Sequence, residues 1–139
     1  MPTLFTRIIQ GELPGRFVWR DDQVVAFLTI APIRPGHTLV VPIAEVDHWI
    51  DMPPALAHRV TDVAMAVSRG IQQAFPCAKV GLMVAGLEVP HTHLHLVPIE
   101  RIADLNFALQ DAQARPEDLD EAARRIRAAL AELGLAAGV

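Results

Sequence analysis

Apolar residues recur along this chain at two spacings, and those spacings predict its elements. Leu4, Phe5, Ile8 and Ile9 mark one side of a short helix over residues 3–10, ended by Gly11 and followed by a Pro14-Gly15 turn. Residues 17–20 and 24–28 predict two strands of a hairpin around Asp21-Asp22-Gln23. Residues 37–42, rich in β-branched side chains, predict a third strand. Pro53-Pro54 opens a long helix to about Phe75, with Val60, Val63, Val67 and Ile71 three and four residues apart. A strand follows over residues 79–84, then a turn at Gly86, then another strand ending near Val97. Residues 99–115 show neither period. A last helix, about 117–133, starts at Pro116-Glu117-Asp118 and stops at Gly134. Its apolar face is Leu119, Ala123, Ile126, Leu130 and Leu133, and Arg124, Arg125 and Arg127 are expected on its solvated face. Short hairpin links and this element order predict an α+β fold, an antiparallel sheet of about five strands with helices packed on it, in one domain over residues 1–139.

Composition narrows the classes of function. With 52% hydrophobic and 20% charged residues, the chain is globular rather than disordered. A net charge of −4 argues against a nucleic-acid-binding surface, but not against a small anionic ligand held by backbone N–H groups. The single cysteine, Cys77, excludes an intrachain disulfide and suits a reducing compartment. The N-terminal segment lacks a signal-peptide pattern, and no apolar run reaches the ~18 residues of a membrane span, so a cytoplasmic protein without a membrane partner is expected.

The candidate chemistry lies in Val89-Pro90-His91-Thr92-His93-Leu94-His95-Leu96-Val97, where half of the six histidines fall within five residues. On a strand, side chains at two-residue spacing share a face, so the three imidazoles point one way and Thr92, Leu94 and Leu96 the other. Four readings compete. The histidines are ordinary part-buried residues, though burying three unpaired imidazoles on one face would cost several kcal/mol. Or they chelate a metal: same-face neighbours lie ~6.6 Å apart and the outer two ~13 Å, so one ion with ~2 Å bonds takes two of them but hardly three. Or one imidazole is a nucleophile toward phosphorus, with its neighbours selecting its tautomer and contacting phosphate oxygens. Or the strand serves a nucleotide-binding module without turnover.

The motifs resemble those of the histidine triad (HIT) superfamily, most closely its Hint-like branch. The resemblance rests on the triad and on more. Phe5-x-x-Ile8-Ile9-x-Gly11-Glu12-Leu13-Pro14, then Asp21-Asp22 and Ala26-Phe27-Leu28, match the family's N-terminal half, and Pro35-Gly36-His37-Thr38-Leu39-Val40-Val41-Pro42 matches its second hallmark. The matched core spans residues 3–98, in the family's order. The resemblance implies a homodimer whose two sheets join. It also implies hydrolysis or transfer at the α-phosphate of a nucleotide or nucleoside phosphoramidate-like substrate. By position, His93 is the nucleophile, His95 contacts the phosphate and helps the leaving group, and His91 and His37 support. Phe5, Ile8 and Leu39 fall at the apolar base pocket, and Gly86, Leu87, Glu88 and Val89 at the phosphate loop. No cofactor is implied.

Departures from the family pattern bear on ligands. Zinc-binding relatives carry a Cys-x-x-Cys pair and a further histidine where this chain has Thr3, Thr6 and Glu45, leaving His91 alone, so no metal site is expected. Thr29 stands at the family's ribose-binding aspartate, and one hydroxyl cannot replace a bidentate carboxylate. Leu87 stands in place of an amide and Glu88 adds a negative charge near the phosphate. Recognition groups have changed while the histidines persist. Arg101, in the segment after Pro98, is a further candidate phosphate contact.

Overall fold

A computed structural model describes all 139 residues, Met1–Val139. In chain order the regular elements are α1 (Leu4–Ile9), β1 (Phe17–Arg20), β2 (Val24–Leu28), β3 (Thr38–Pro42), α2 (Pro54–Ala74), β4 (Lys79–Val84), β5 (Leu94–Ile99) and α3 (Pro116–Glu132). Short 3-10 turns occupy Trp49–Asp51, Ile102–Asp104 and Phe107–Leu109. The five strands form one sheet in the order β1-β2-β3-β5-β4, with every neighbouring pair antiparallel. This is the α+β architecture expected from the pattern.

Alternation along the strands divides the core between the two faces of the sheet. Val24, Ala26 and Leu28 of β2, Val40 of β3, and Leu94 and Leu96 of β5 pack against α2 and α3, which contribute Val60, Val67, Ile71, Ile126 and Leu130. Gly70 lets the two helices close: a Cβ there would lie 2.8 Å from the Leu130 side chain. The opposite residues, Val25, Phe27, Leu39 and Val41, gather under Phe5 of α1. Strand β2 is therefore buried on both faces. A register shift between Phe17 and Trp19 breaks the alternation in β1 and turns Trp19 into the helix-side core beside Val18.

Two expectations at α3 need correction. Leu133 is 42% exposed, one position past the end of the helix at Glu132, while Leu135 beyond it packs on the core. Arg124 and Arg125 are exposed as expected, while Arg127 is half-buried. Arg125 sets its guanidinium 4.3 Å from the Phe75 ring centroid and bonds the Ala74 carbonyl, and Arg127 donates to the Phe17 carbonyl at 3.1 Å. Free carbonyls at the ends of α2 and β1 give these side chains better partners than water alone.

Candidate active site: a row of tautomer-locked histidines

The histidine segment is a strand only in part. β5 begins at Leu94, so His91, Thr92 and His93 precede it. The cause is local. Continued, the register would set Thr92 opposite Pro42 of β3, but the Pro42 carbonyl accepts instead from the His91 side chain, Nε2 to O at 2.7 Å. Thr92 turns the other way, donating its N–H to Val46 O at 2.7 Å and its hydroxyl at 2.8 Å. The rings nevertheless line up. Phe5 meets His91 and His93 edge-on at 5.7 and 4.8 Å between centroids, His93 meets His95 at 4.9 Å, and His95 meets Phe107 at 4.9 Å.

Hydrogen bonds determine which nitrogen of each neutral ring carries the proton. His93 Nδ1 lies 2.7 Å from the His91 carbonyl, which can only accept, so Nδ1 is protonated and Nε2 keeps its lone pair. The Ile33 N–H donates to His37 Nδ1 at 3.0 Å, so the proton of His37 sits on Nε2, which donates to His95 Nδ1 at 2.9 Å. The proton of His95 is thereby left on Nε2. His91 donates from Nε2 to Pro42 O and accepts at Nδ1 from the Thr3 hydroxyl, 2.6 Å away. Burial favours the neutral forms of His93, His95 and His37. It lowers His93 below the usual histidine range, His95 to about 4 and His37 to about 3, with the charges of neighbouring histidines acting the same way.

His93 and His95 line a cavity of about 630 Å³. The expected binding residues Phe5, Ile8, Thr29, Leu39, Gly86, Leu87, Glu88 and Val89 all line it, brought together from α1, β2, β3 and the turn before the triad. Gly86 adopts φ +76°, a conformation that suits glycine in that turn. His37 and His91 do not reach the cavity; both are fully buried behind it. Thr29 accepts from the Ala31 N–H at 3.2 Å, and Glu88 lies exposed at the rim. Arg101 lies outside this chain's own cavity, 3.6 Å from Asp104. Asp104 holds it by accepting from the Glu100 and Arg101 N–H groups at the turn where the chain leaves β5. Phe107 and Gln110, which sequence reasoning missed, complete the lining. The overlooked signal was Phe107, the one aromatic residue after Phe75 and flanked by Leu105 and Leu109.

Thr3, Thr6, Glu45 and His91 do come together, through hydrogen bonds. The Thr3 hydroxyl reaches Thr6 and His91, the Thr3 N–H donates to Glu45 at 3.1 Å, and bonds from the Thr6 hydroxyl and Thr3 N–H hold the Glu45 carboxyl below its usual range. Two hydroxyls, one exposed carboxylate and an imidazole with both nitrogens already engaged do not fit a zinc tetrahedron.

A model of the HIT domain matches residues 10–102, two thirds of the chain and the whole of the histidine constellation. The protein belongs to the HIT family. An uncharacterised HIT-like protein of Methanocaldococcus jannaschii is 33% identical over 128 residues, covering 89% of this chain and 98% of that one. An adenylylsulfatase of Arabidopsis thaliana is 26% identical over 128 residues, covering 88% of this chain and 64% of that one. Among solved structures, a hypothetical histidine triad nucleotide-binding protein of Sulfolobus tokodaii superposes with a TM-score of 0.82 at 26% identity, over 93% of this chain and 92% of that one. This HIT chain thus shares its sheet, its helices and its histidine row with a family that includes hydrolases.

Proposed function

We propose that this HIT protein hydrolyses a nucleotide or nucleoside phosphoramidate-like substrate at its α-phosphorus, with His93 as nucleophile. The carrying observation is the tautomer of His93: its Nδ1–H is committed to the His91 carbonyl, and the unprotonated Nε2 belongs to a ring on the cavity wall. A neutral imidazole with a free lone pair is the reactive form. In the first step an Nε2–P bond forms as the bond from phosphorus to the leaving nitrogen or oxygen breaks. The leaving group departs with the electron pair and takes a proton from water. In the second step water attacks phosphorus, the Nε2–P bond breaks, and the water's proton passes to solvent.

His95 complements this chemistry. Its Nε2–H donates to a phosphoryl oxygen or to the leaving atom, while His37 holds its other nitrogen. His91 supplies the carbonyl that stabilises charge developing on the phosphorylated His93 ring. Phe5, Ile8 and Leu39 form the apolar wall for the nucleoside base. The name of the plant relative, an adenylylsulfatase, supports an enzyme acting on an adenylyl compound. A homodimer is part of the same reading. β4 is the free edge of the sheet, whereas the edge strand β1 is bonded along its outer side by Ala137 O to the Arg20 N–H at 3.0 Å.

The deciding experiment is single-turnover hydrolysis of a nucleoside phosphoramidate, with the acid-labile, histidine-bound nucleotidyl group measured by intact-mass spectrometry. Wild-type protein should accumulate the adduct transiently. His93→Asn, which keeps the ring-sized side chain without the nucleophile, should show neither adduct nor turnover. Undiminished turnover by His93→Asn would overturn the mechanism. Binding without turnover in wild type would favour a nucleotide-binding module.

A further inference from the structure

Aromatic side chains stand at both ends of the histidine row. Phe5 lies edge-on to His93 at 4.8 Å, backed by Phe27 at 5.6 Å, and Phe107 lies edge-on to His95 at 4.9 Å. Both Phe5 and Phe107 line the cavity. Yet they come from unrelated parts of the chain. Phe5 belongs to α1, whereas Phe107 is on a short turn after the sheet, a segment with no apolar period of its own.

That turn is built to hold its place. At its start Asp104, 5% exposed, accepts from two backbone N–H groups and lies 3.6 Å from Arg34 and Arg101. At its end Gln110 donates to Ala31 O at 3.0 Å, and the Asp111 N–H to Pro32 O at 2.9 Å. Between these anchors Asn106 caps the turn carrying Phe107, accepting from the Ala108 N–H at 2.9 Å. Phe107 itself stays 38% exposed, so its ring is held without being consumed by the core. A large apolar side chain fixed at the rim of a cavity, touching a site residue and half open to solvent, has the properties of a ligand contact.

We infer that Phe107 is a specificity-determining residue, forming a second apolar wall that recognises an aromatic leaving group across the phosphorus from the Phe5 wall. This rests on the hydrolase reading above. In this reading the nucleoside rests on the Phe5 wall and the group departing from phosphorus, away from His93, lies toward His95 and Phe107. The arrangement therefore suits a substrate with organic groups on both sides of one phosphoryl centre, such as an arylmethylamine phosphoramidate. It offers little to a small or purely inorganic leaving group. Gln110, beside Phe107 on the lining, spends its amide N–H on Ala31 O and fixes the wall rather than adding a charge to it.

The test compares two phosphoramidates of one nucleoside, carrying benzylamine or n-butylamine, on wild-type protein, Phe107→Ala and Phe107→Trp. The ratio of kcat/KM for benzylamine over butylamine should fall about tenfold in Phe107→Ala, as lost aromatic contact and burial predict. Phe107→Trp should recover most of that ratio. Because each variant is compared with wild type on both compounds, the intrinsic reactivity of the amines cancels. Equal losses on both compounds, or no change in the ratio, would overturn the inference. A calorimetric arm separates this from failure of the hydrolase reading. His93→Asn should bind the benzylamine compound more tightly than the butylamine one, and His93→Asn with Phe107→Ala should lose that preference. Preserved preference in the double variant overturns the role of Phe107 whether or not the wild type turns substrate over.

Discussion

At the scale of single residues, the site depends on histidines kept neutral. His37 illustrates the thermodynamic side. Its folded value of about 3 lies below an ordinary 6.5 because burial and the neighbouring histidines oppose a charge there. Below pH 6.5 the unfolded chain binds a proton that the folded chain refuses, so stability is full above 6.5 and is lost as pH falls toward 3. At pH 5 this one residue removes about 2 kcal/mol, from 1.36 kcal/mol per pH unit, and His95 acts in the same direction down to about 4. Urea unfolding at pH 7 and pH 5 should show that loss, and His37→Asn should reduce it. The kinetic consequence has the same sign. Protonation of His93 removes its lone pair, so kcat/KM should stay level through neutrality and decline only below the usual histidine range. A decline centred at 6.5 or above in the pH–rate profile would contradict the buried neutral row.

At the scale of elements, α1 does two things. Its Phe5 and Ile8 wall the cavity, and Thr3, which caps it by accepting from the Thr6 N–H at 3.1 Å, hands a hydrogen bond to His91. His91 in turn presents the carbonyl that orients His93. Thr3→Val keeps the shape and removes the hydroxyl, leaving His91 Nδ1 without its donor at a cost of about 1–3 kcal/mol. We expect kcat to fall with KM little changed, nitrogen NMR shifts of His91 to report a mixed tautomer, and Thr3→Ser to restore both. A lowered melting temperature with unchanged kcat would show the contact to be structural only. The sequence grouped Thr3 with His91 only through the family's zinc-site positions, and gave no sign of a hydrogen bond between them. Thr3 and His91 are 88 positions apart and neither pattern nor spacing joins them; the same holds for His37 and His95, which a family resemblance rather than periodicity brought together. The extent of α2 and the α3 start, by contrast, followed from Pro54, Pro116 and three- and four-residue apolar spacing. The strand boundary at Leu94 was missed because it turns on a side chain, His91, replacing a ladder bond at Pro42.

At the scale of the whole molecule, the antiparallel sheet was readable from hairpin links but the insertion of β5 between β3 and β4 was not, and the cavity was readable only on one side. Residues 4–39 and 85–89 carried family motifs, whereas Phe107 and Gln110 lie where the chain has no repeating period, held there by Asp104 and by bonds to Ala31 and Pro32. Assembly follows from which edge of the sheet is open. With β1 bonded by the C-terminal segment and β4 bare, sedimentation equilibrium should give about twice the 15.2 kDa chain mass. Charge placed at Leu82 on β4, which is 51% exposed, should shift it toward one copy. A wild-type mass of a single chain would exclude edge pairing. Finally, α1 has only six residues, too few to persist by its own backbone bonds. It stays folded through the packing of Phe5, Ile8 and Ile9 and through the bonds of Thr3 to His91 and Glu45, so its fraying on warming would open the pocket and release the support of His93 in one event. Catalysis should therefore fade at a temperature where the sheet and the long helices are still intact, leaving a working range narrower than the melting curve suggests.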